Sequence, residues 1–155
     1  MTAQLAATRE KAKPLKGEAA FRPLVHVVDD DPSFRTAVKR RLELAGYSVR
    51  TYVTAEQFLD LQLAEIAPSC LLTDLKLPGL SGLELQDRLR AVGSTLSIVF
   101  ISGFADSDVR RKAIEAGAID FLTKPVDSNQ LVRSINAAIA ARTRCCSQHL
   151  YIPAP

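Results

Sequence analysis

Five side chains that could bind a metal or take part in group transfer each lie at the end of a short apolar segment of the kind that forms a buried strand. They are Asp29, Asp30, Asp74, Ser102 and Lys124. Carboxylates held close together raise one another's pKa unless a hard cation neutralises them, and Mg²⁺ prefers such oxygen ligands. A carboxylate can also accept a phosphoryl group covalently. The set therefore predicts Mg²⁺-dependent phosphoryl transfer, provided that the fold brings its members together.

The expected geometry assigns a role to each member of this set. Asp74 follows a strand predicted to be central, between the acidic pair and the lysine, so it is the expected acceptor. We expect Asp30 to hold the metal, with Asp29 assisting directly or through water. Lys124 and Ser102 are expected to bind the phosphoryl oxygens as negative charge develops.

Alternating strands and helices are predicted between Leu24 and Arg144. Strands are expected at 24–28, 47–52, 70–73, 96–101 and 119–123, and the residues between and after them carry helical periodicity. Short loops and right-handed crossovers favour a doubly wound five-stranded parallel sheet with the flavodoxin-like strand order 2-1-3-4-5. In that order the ends of the first and third strands flank the crevice where ligands bind.

Helix boundaries are signalled by capping residues. Asp31 precedes Pro32, and the pairs Thr54 with Gln57 and Ser81 with Glu84 have capping-box spacing. Predicted buried stripes include Phe34, Ala37, Val38, Leu42 and Ala45 in the first helix, Phe58, Leu59, Leu63 and Ile66 in the second, Leu85, Leu89 and Val92 in the third, and Leu131, Ile135, Ala138 and Ile139 in the fifth.

Composition limits the other classes of function. With 155 residues the chain is expected to hold one domain. Residues 1–22 contain five Lys or Arg against two Glu, whereas the rest of the chain holds fifteen residues of each sign, so we expect a disordered basic tail and no direct nucleic-acid binding. No apolar run reaches membrane-spanning length and no secretory signal precedes the first strand, which favours a cytoplasmic protein without membrane contact.

Four segments together resemble the receiver domain of two-component response regulators. They are Val-Asp-Asp-Asp-Pro at 28–32, Thr-Asp-Leu-Lys-Leu-Pro-Gly-Leu-Ser-Gly-Leu-Glu-Leu at 73–85, Ile-Ser-Gly at 101–103 and Asp-Phe-Leu-Thr-Lys-Pro at 120–125. Their order and spacing cover a domain at residues 23–142. The residues around Asp74 and those at 104–107 are most similar to the nitrogen-fixation type of receiver.

This resemblance implies a phosphoacceptor in signal transduction rather than an enzyme, one that catalyses only its own phosphorylation and dephosphorylation. A sensor histidine kinase would supply the phosphoryl group to Asp74. The further roles implied are metal binding by Asp29, Asp30, Asp74 and the Lys76 backbone carbonyl, phosphoryl sensing by Lys124, and switching by Ser102 and Phe121. A cis peptide bond between Lys124 and Pro125 is also expected.

The same resemblance implies an output surface. Once Ser102 binds the new phosphoryl oxygens, Phe121 can turn inward and reshape the surface formed by the fourth helix, fifth strand and fifth helix. A homodimer on phosphorylation is expected through this surface. Receivers of the nitrogen-fixation type usually precede a helix-turn-helix output domain, but here a short tail at 143–155 follows, so we expect a free-standing or excised receiver.

The sequence leaves three alternative functions open. An aspartyl-phosphate phosphatase of the haloacid dehalogenase type would need a second aspartate two residues after Asp74, where Lys76 stands. A flavodoxin-like module for a nucleotide or flavin would want glycines and amides where residues 29–31 are acidic. A receiver that lacks phosphorylation and acts only in protein contacts would not need the full acidic, hydroxyl and lysine set.

Overall fold

The computed structural model describes residues 22–61, 69–104 and 106–148. Strands and helices alternate along the chain, as the sequence predicts. They are β1 (Leu24–Val28), α1 (Pro32–Leu44), β2 (Ser48–Tyr52), α2 (Ala55–Leu59), β3 (Ser69–Asp74), α3 (Gly82–Ala91), β4 (Ser97–Ser102), α4 (Ser107–Glu115), β5 (Asp120–Thr123) and α5 (Ser128–Gln148). The basic segment 1–21 and residues 149–155 lie outside the described residues.

The strands form one five-stranded parallel sheet with the order β2-β1-β3-β4-β5, which confirms the predicted topology. β1, β3 and β4 are buried along their whole length, whereas the edge strands β2 and β5 expose part of theirs. This difference follows from position, because only interior strands are paired on both sides and covered on both faces.

Two apolar clusters pack against the two faces of the sheet. On one face, α1 and α5 bury Val38, Leu42, Leu131 and Ile135 against the strands. On the other face, α2, α3 and α4 bury residues around Phe58, Leu85, Phe100 and Phe121. Burial on both faces fixes the register of the strands, so the residues that follow each strand have defined positions.

The helix boundaries confirm most of the capping predictions. Ser81 and Glu84 form both bonds of a capping box, and Asp31 accepts hydrogen bonds from two backbone N–H groups at the start of α1. Thr54 accepts from the Gln57 N–H, but the Gln57 side chain accepts from the Val53 N–H instead of completing the box.

Three predicted core positions are solvent-exposed. Val92 was predicted at position i+7 of the buried stripe that begins at Leu85, but it is 78% exposed. The reason is that α3 ends at Ala91, so helical periodicity no longer directs residue 92 toward the sheet. Ala37 and Ala45 in the predicted stripe of α1 are exposed as well, because the buried side of α1 is formed by Val38 and Leu42, with Phe34 partly buried beside them, and Ala45 already caps the helix. The proposed core residues Leu63 and Ile66 lie outside the described residues.

The last helix continues beyond the apolar pattern. α5 reaches Gln148, although its predicted buried positions end at Ile139 and the pattern is lost after Arg144. Within the described segments, no helix combines the length and hydropathy needed to cross a bilayer.

Candidate phosphoryl-transfer site

All five predicted site residues lie at the carboxyl edge of the sheet. Asp74 and Ser102 are the last residues of β3 and β4, and Lys124 comes directly after β5. Asp29 and Asp30 come directly after β1, the neighbour of β3. Parallel strands end at the same edge, so the topology itself gathers these side chains.

Lys124 connects the acidic residues of neighbouring loops. Its Nζ donates hydrogen bonds to Asp29 Oδ2 at 2.8 Å and to Asp74 Oδ2 at 3.1 Å. Burial acts to lower the pKa of Lys124, but the hydrogen bonds and charges of the two aspartates outweigh it, so the pKa is raised. The ammonium group therefore stays charged and supplies a fixed positive charge beside Asp74.

Asp29 is the most enclosed carboxylate of the site, with no exposed surface. Burial raises its pKa, although the hydrogen bonds from Lys124 and from the Asp31 N–H act in the opposite direction. Arg35 also donates from Nη1 to the Asp29 carbonyl oxygen at 2.6 Å, which anchors the first turn of α1 to this loop. Asp29 thus has both its side chain and its backbone held in place.

The acidic cluster has a composition suited to a divalent cation. Asp29, Asp30 and Asp74 each place one carboxylate oxygen so that all three lie within 4.8 Å of one another. Asp30 is exposed, so the cluster opens toward solvent. Oxygen donors that leave room for several waters match the preference of Mg²⁺, and one lysine does not neutralise three carboxylates. These residues therefore fit a magnesium ion.

The predicted switch residues belong to β4 and β5, the two strands beyond β3. Ser102 is buried, its Oγ accepts from the Phe104 N–H at 3.2 Å, and its carbonyl accepts from the Lys124 N–H at 2.9 Å. Phe121 is 2% exposed and lies beside Phe100, with ring centroids 6.0 Å apart. The structure thus has Phe121 in the inward position. The Lys124–Pro125 bond is cis, as expected.

Three further residues contribute to the site although they were not predicted to do so. Gly82 approaches the backbone of Asp74 so closely that a Cβ there would collide with the Asp74 carbonyl oxygen. Glu56 accepts from the Leu80 N–H at 2.9 Å, which ties α2 to the loop after Asp74. The ring centroid of Phe34 lies 4.1 Å from Lys124 Nζ. Of these three residues, only Gly82 could have been noticed in the sequence, because a glycine in the first turn of a predicted helix is unusual.

A parallel sheet of this order, with acidic, hydroxyl and lysine groups at its carboxyl edge, defines a receiver-type α/β protein. The chain belongs to the response regulator family, because the model of the response regulator receiver domain matches residues 25–136.

Individual relatives support the same assignment. The chain is 36% identical over 116 residues to the response regulator protein TmoT of Ectopseudomonas mendocina, covering 75% of this chain and 52% of that protein. It is 33% identical over 131 residues to the transcriptional regulatory protein FixJ of Bradyrhizobium diazoefficiens, covering 81% of this chain and 63% of the relative.

Among solved structures, the response regulator StyR matches with a TM-score of 0.77 and 36% identity, over 83% of this chain and 64% of that chain. The match to FixJ confirms the predicted similarity to the nitrogen-fixation type, and the chain is similar to regulators such as TmoT as well. The chain spans about half the length of the first curated relatives that it matches.

Proposed function

We propose that Asp74 accepts a phosphoryl group from the phosphohistidine of a sensor kinase. An Asp74 carboxylate oxygen attacks phosphorus, the bond from phosphorus to the histidine nitrogen breaks, and an acyl phosphate forms while the histidine takes up a proton. The observation that carries this proposal is the contact of Lys124 Nζ with Asp74 Oδ2 at 3.1 Å, beside two further carboxylates. A carboxylate that contacts a fixed cation and belongs to an acidic cluster able to hold a metal is equipped for phosphoryl transfer.

The other residues of the site have complementary roles. The Lys124 ammonium group already contacts the Asp74 carboxylate, so it can also stabilise the negative charge that develops on the phosphoryl oxygens during transfer. The Ser102 hydroxyl can donate to a phosphoryl oxygen while its Oγ still accepts from Phe104. Asp29, Asp30, Asp74 and, by family resemblance, the Lys76 carbonyl would hold Mg²⁺, which supplies charge neutralisation when bound.

Output is proposed to pass through Ser102 and Phe121. Binding of phosphoryl oxygens by Ser102 would favour the inward Phe121 and with it one arrangement of the surface formed by α4, β5 and α5. We expect that surface to bind a second copy of the chain or another protein. Charges balance outside residues 1–22, so DNA is not the partner that we propose for this chain.

A phosphatase of the haloacid dehalogenase type is less well supported. Lys76 occupies the position where that chemistry needs an acidic residue, and its N–H donates to Asp74 Oδ1 at 3.2 Å. The residue at position 76 therefore contacts the acceptor through its backbone, and no carboxyl group is available there to protonate a leaving group.

The proposal is tested by incubating the chain with acetyl phosphate and Mg²⁺ and measuring incorporation of phosphate into the protein. Stoichiometric labelling is expected in the unchanged chain and none in Asp74→Asn, which removes the acceptor and nearly preserves volume. Chelation of Mg²⁺ or Asp30→Ala should suppress labelling. Sustained release of phosphate without a labelled protein would favour the phosphatase instead.

A further inference from the structure

We propose that Phe34 is a positioning residue for phosphoryl transfer, one that holds the Lys124 ammonium group beside Asp74 through a cation–π contact. This inference rests on the proposed function, because it concerns the same lysine and the same acceptor. Phe34 belongs to α1, and its ring lies against the Lys124 ammonium group, through which it would act on the reaction.

The geometry around Lys124 Nζ supports this role. Two hydrogen bonds join the nitrogen to Asp29 and Asp74, at 2.8 and 3.1 Å, and the ring centroid of Phe34 lies 4.1 Å away. A cation within about 6 Å of a ring centroid is attracted by the negative face of the ring. An ammonium group has three N–H donors, so a ring can contact it while two of them serve the carboxylates.

The ring is held by the start of α1 rather than by Lys124 alone. Asp31 Oδ1 accepts from the Ser33 N–H at 2.9 Å and from the Phe34 N–H at 3.3 Å. Arg35, the next residue, donates to the Asp29 carbonyl oxygen at 2.6 Å. The first turn of α1 is therefore tied to the loop that holds Asp29, through backbone bonds to Asp31 and the Arg35 side chain, so the ring offers the flexible lysine a defined partner.

The contact differs from the second lysine–phenylalanine pair at this edge of the sheet. Lys76 Nζ lies 4.7 Å from the Phe104 ring centroid, but Phe104 is 76% exposed. Phe34 is half-buried, and the side chain of Lys124 is only 23% exposed. A cation–π contact is stronger where water is excluded, so the Phe34 contact is the one with the greater effect on its lysine.

The test compares Phe34→Leu, which keeps an apolar side chain without a π face, with Phe34→Tyr, which keeps the ring. The second-order rate constant for labelling by acetyl phosphate with Mg²⁺ should fall by about threefold to tenfold in Phe34→Leu and stay within about twofold in Phe34→Tyr. Leu44→Ala, at an 82% exposed position in the same helix, is the control and should label like the unchanged chain.

A double-mutant cycle with Lys124→Met separates positioning of the lysine from general packing. Once the ammonium group is absent, Phe34→Leu should cause no further loss of rate. An additive effect in the cycle would overturn the inference. Equal rates in the unchanged chain and Phe34→Leu would overturn it as well, while leaving the proposed function intact.

A second readout does not depend on activity. The methylene protons next to Lys124 Nζ should show an upfield ring-current shift by NMR in the unchanged chain and in Phe34→Tyr, and lose it in Phe34→Leu. No shift in the unchanged chain would contradict the contact. If the unchanged chain accepted no phosphate at all, the proposed function would fail and the role of Phe34 in transfer with it.

Discussion

At the scale of single residues, the site brings two aspartate carboxylates, Asp29 and Asp74, into contact with the ammonium group of Lys124. Asp29 is fully buried and Asp74 nearly so, yet both contact the same Lys124 nitrogen. Burial of two carboxylates is unfavourable unless hydrogen bonds and opposite charge compensate for it. The raised pKa of Asp29 indicates that compensation is incomplete before a metal binds, with desolvation as the largest cause.

Asp29→Asn is therefore expected to raise the unfolding temperature of the metal-free chain at neutral pH. The folded pKa of Asp29 lies above the unfolded value, so its contribution to stability is most favourable below the unfolded pKa and is lost as pH rises through the folded pKa. The gain from Asn should shrink as the pH is lowered, because Asp29 then becomes neutral too. Thermal unfolding of both chains across this pH range, with chelator present, is the measurement. A difference that does not depend on pH would contradict the expectation.

The meeting of these residues at one edge of the sheet could be predicted from the sequence, whereas their contacts could not. Asp74 and Lys124 follow strands, and strand ends can be located from apolar runs and loop residues. The bond of Lys124 to Asp29 joins residues 95 positions apart, and the Phe34 ring position depends on how α1 lies over the loop. Phe34 was correctly placed on the apolar side of its helix, but that pattern does not distinguish a core contact from a contact with a lysine.

At the scale of elements, the loop between β3 and α3 determines the backbone around the acceptor. The Gly82 N–H donates to the Leu75 carbonyl at 2.9 Å, so α3 begins almost in contact with the end of β3. Any side chain at position 82 would meet both the Asp74 carbonyl and the Phe100 ring. The small residue at this position therefore allows the close approach.

Gly82→Ala should lower the free energy of unfolding by about 1–3 kcal/mol, as overpacking does, and slow labelling of Asp74 because the acceptor backbone must shift. Gly103→Ala is the matched control, since a Cβ there meets no atom within 4 Å. Chemical denaturation and labelling rates are the measurements. Equal stability and equal labelling in the two variants would show that the close approach is not required.

A second contact, from Glu56 of α2, restrains the same loop. The Glu56 carboxylate accepts a hydrogen bond from the Leu80 N–H, and this bond lowers the pKa of Glu56 in the folded chain. The stability that the bond contributes is therefore present above the pKa of Glu56 in the unfolded chain and is lost as the pH falls through the pKa of Glu56 in the folded chain. Glu56→Ala should slow labelling of Asp74 by less than about tenfold, whereas Glu56→Gln keeps an oxygen acceptor and should restore much of the rate. A similar loss in both variants would point to charge rather than to this hydrogen bond.

Element order was easier to predict than element ends. Strand order follows from alternating elements, short connections and the burial of β1, β3 and β4, all of which can be recognised in the sequence. The end of α3 before Val92 depends on local backbone geometry at a cap, to which apolar periodicity is insensitive. Gln57 likewise has capping-box spacing, but its side chain bonds to Val53.

At the scale of the whole molecule, the proposed switch links the site to the face formed by α4, β5 and α5. Ser102 ends β4, and Phe121 of β5 pairs in register with Phe100 of β4. Arg110 of α4 lies over the Phe121 ring, with its guanidinium carbon 5.9 Å from the centroid. A change in the position of Phe121 would therefore alter its contact with Arg110 and so the surface of α4.

Beryllofluoride, a phosphoryl mimic, should shift NMR resonances of Phe121 and α4 as well as those of the Asp74 loop, and should increase self-association. The mimic can change this surface only by its preference for one of two arrangements. Because Phe121 is already buried in this structure, the mimic is expected to raise the share of chains in solution that hold this inward arrangement. Asp74→Asn treated in the same way is the control. Changes confined to the Asp74 loop, with unaltered self-association, would refute the switch.

Locating the acyl phosphate in the labelled chain shows whether Asp74 is the phosphoacceptor. Borohydride reduces an aspartyl phosphate to homoserine, which peptide mass spectrometry can assign to one position. Homoserine is expected at position 74 after treatment with acetyl phosphate and Mg²⁺, with unmodified aspartate at positions 29 and 30. Homoserine at position 29 or 30, or a labelled chain with intact Asp74, would contradict it.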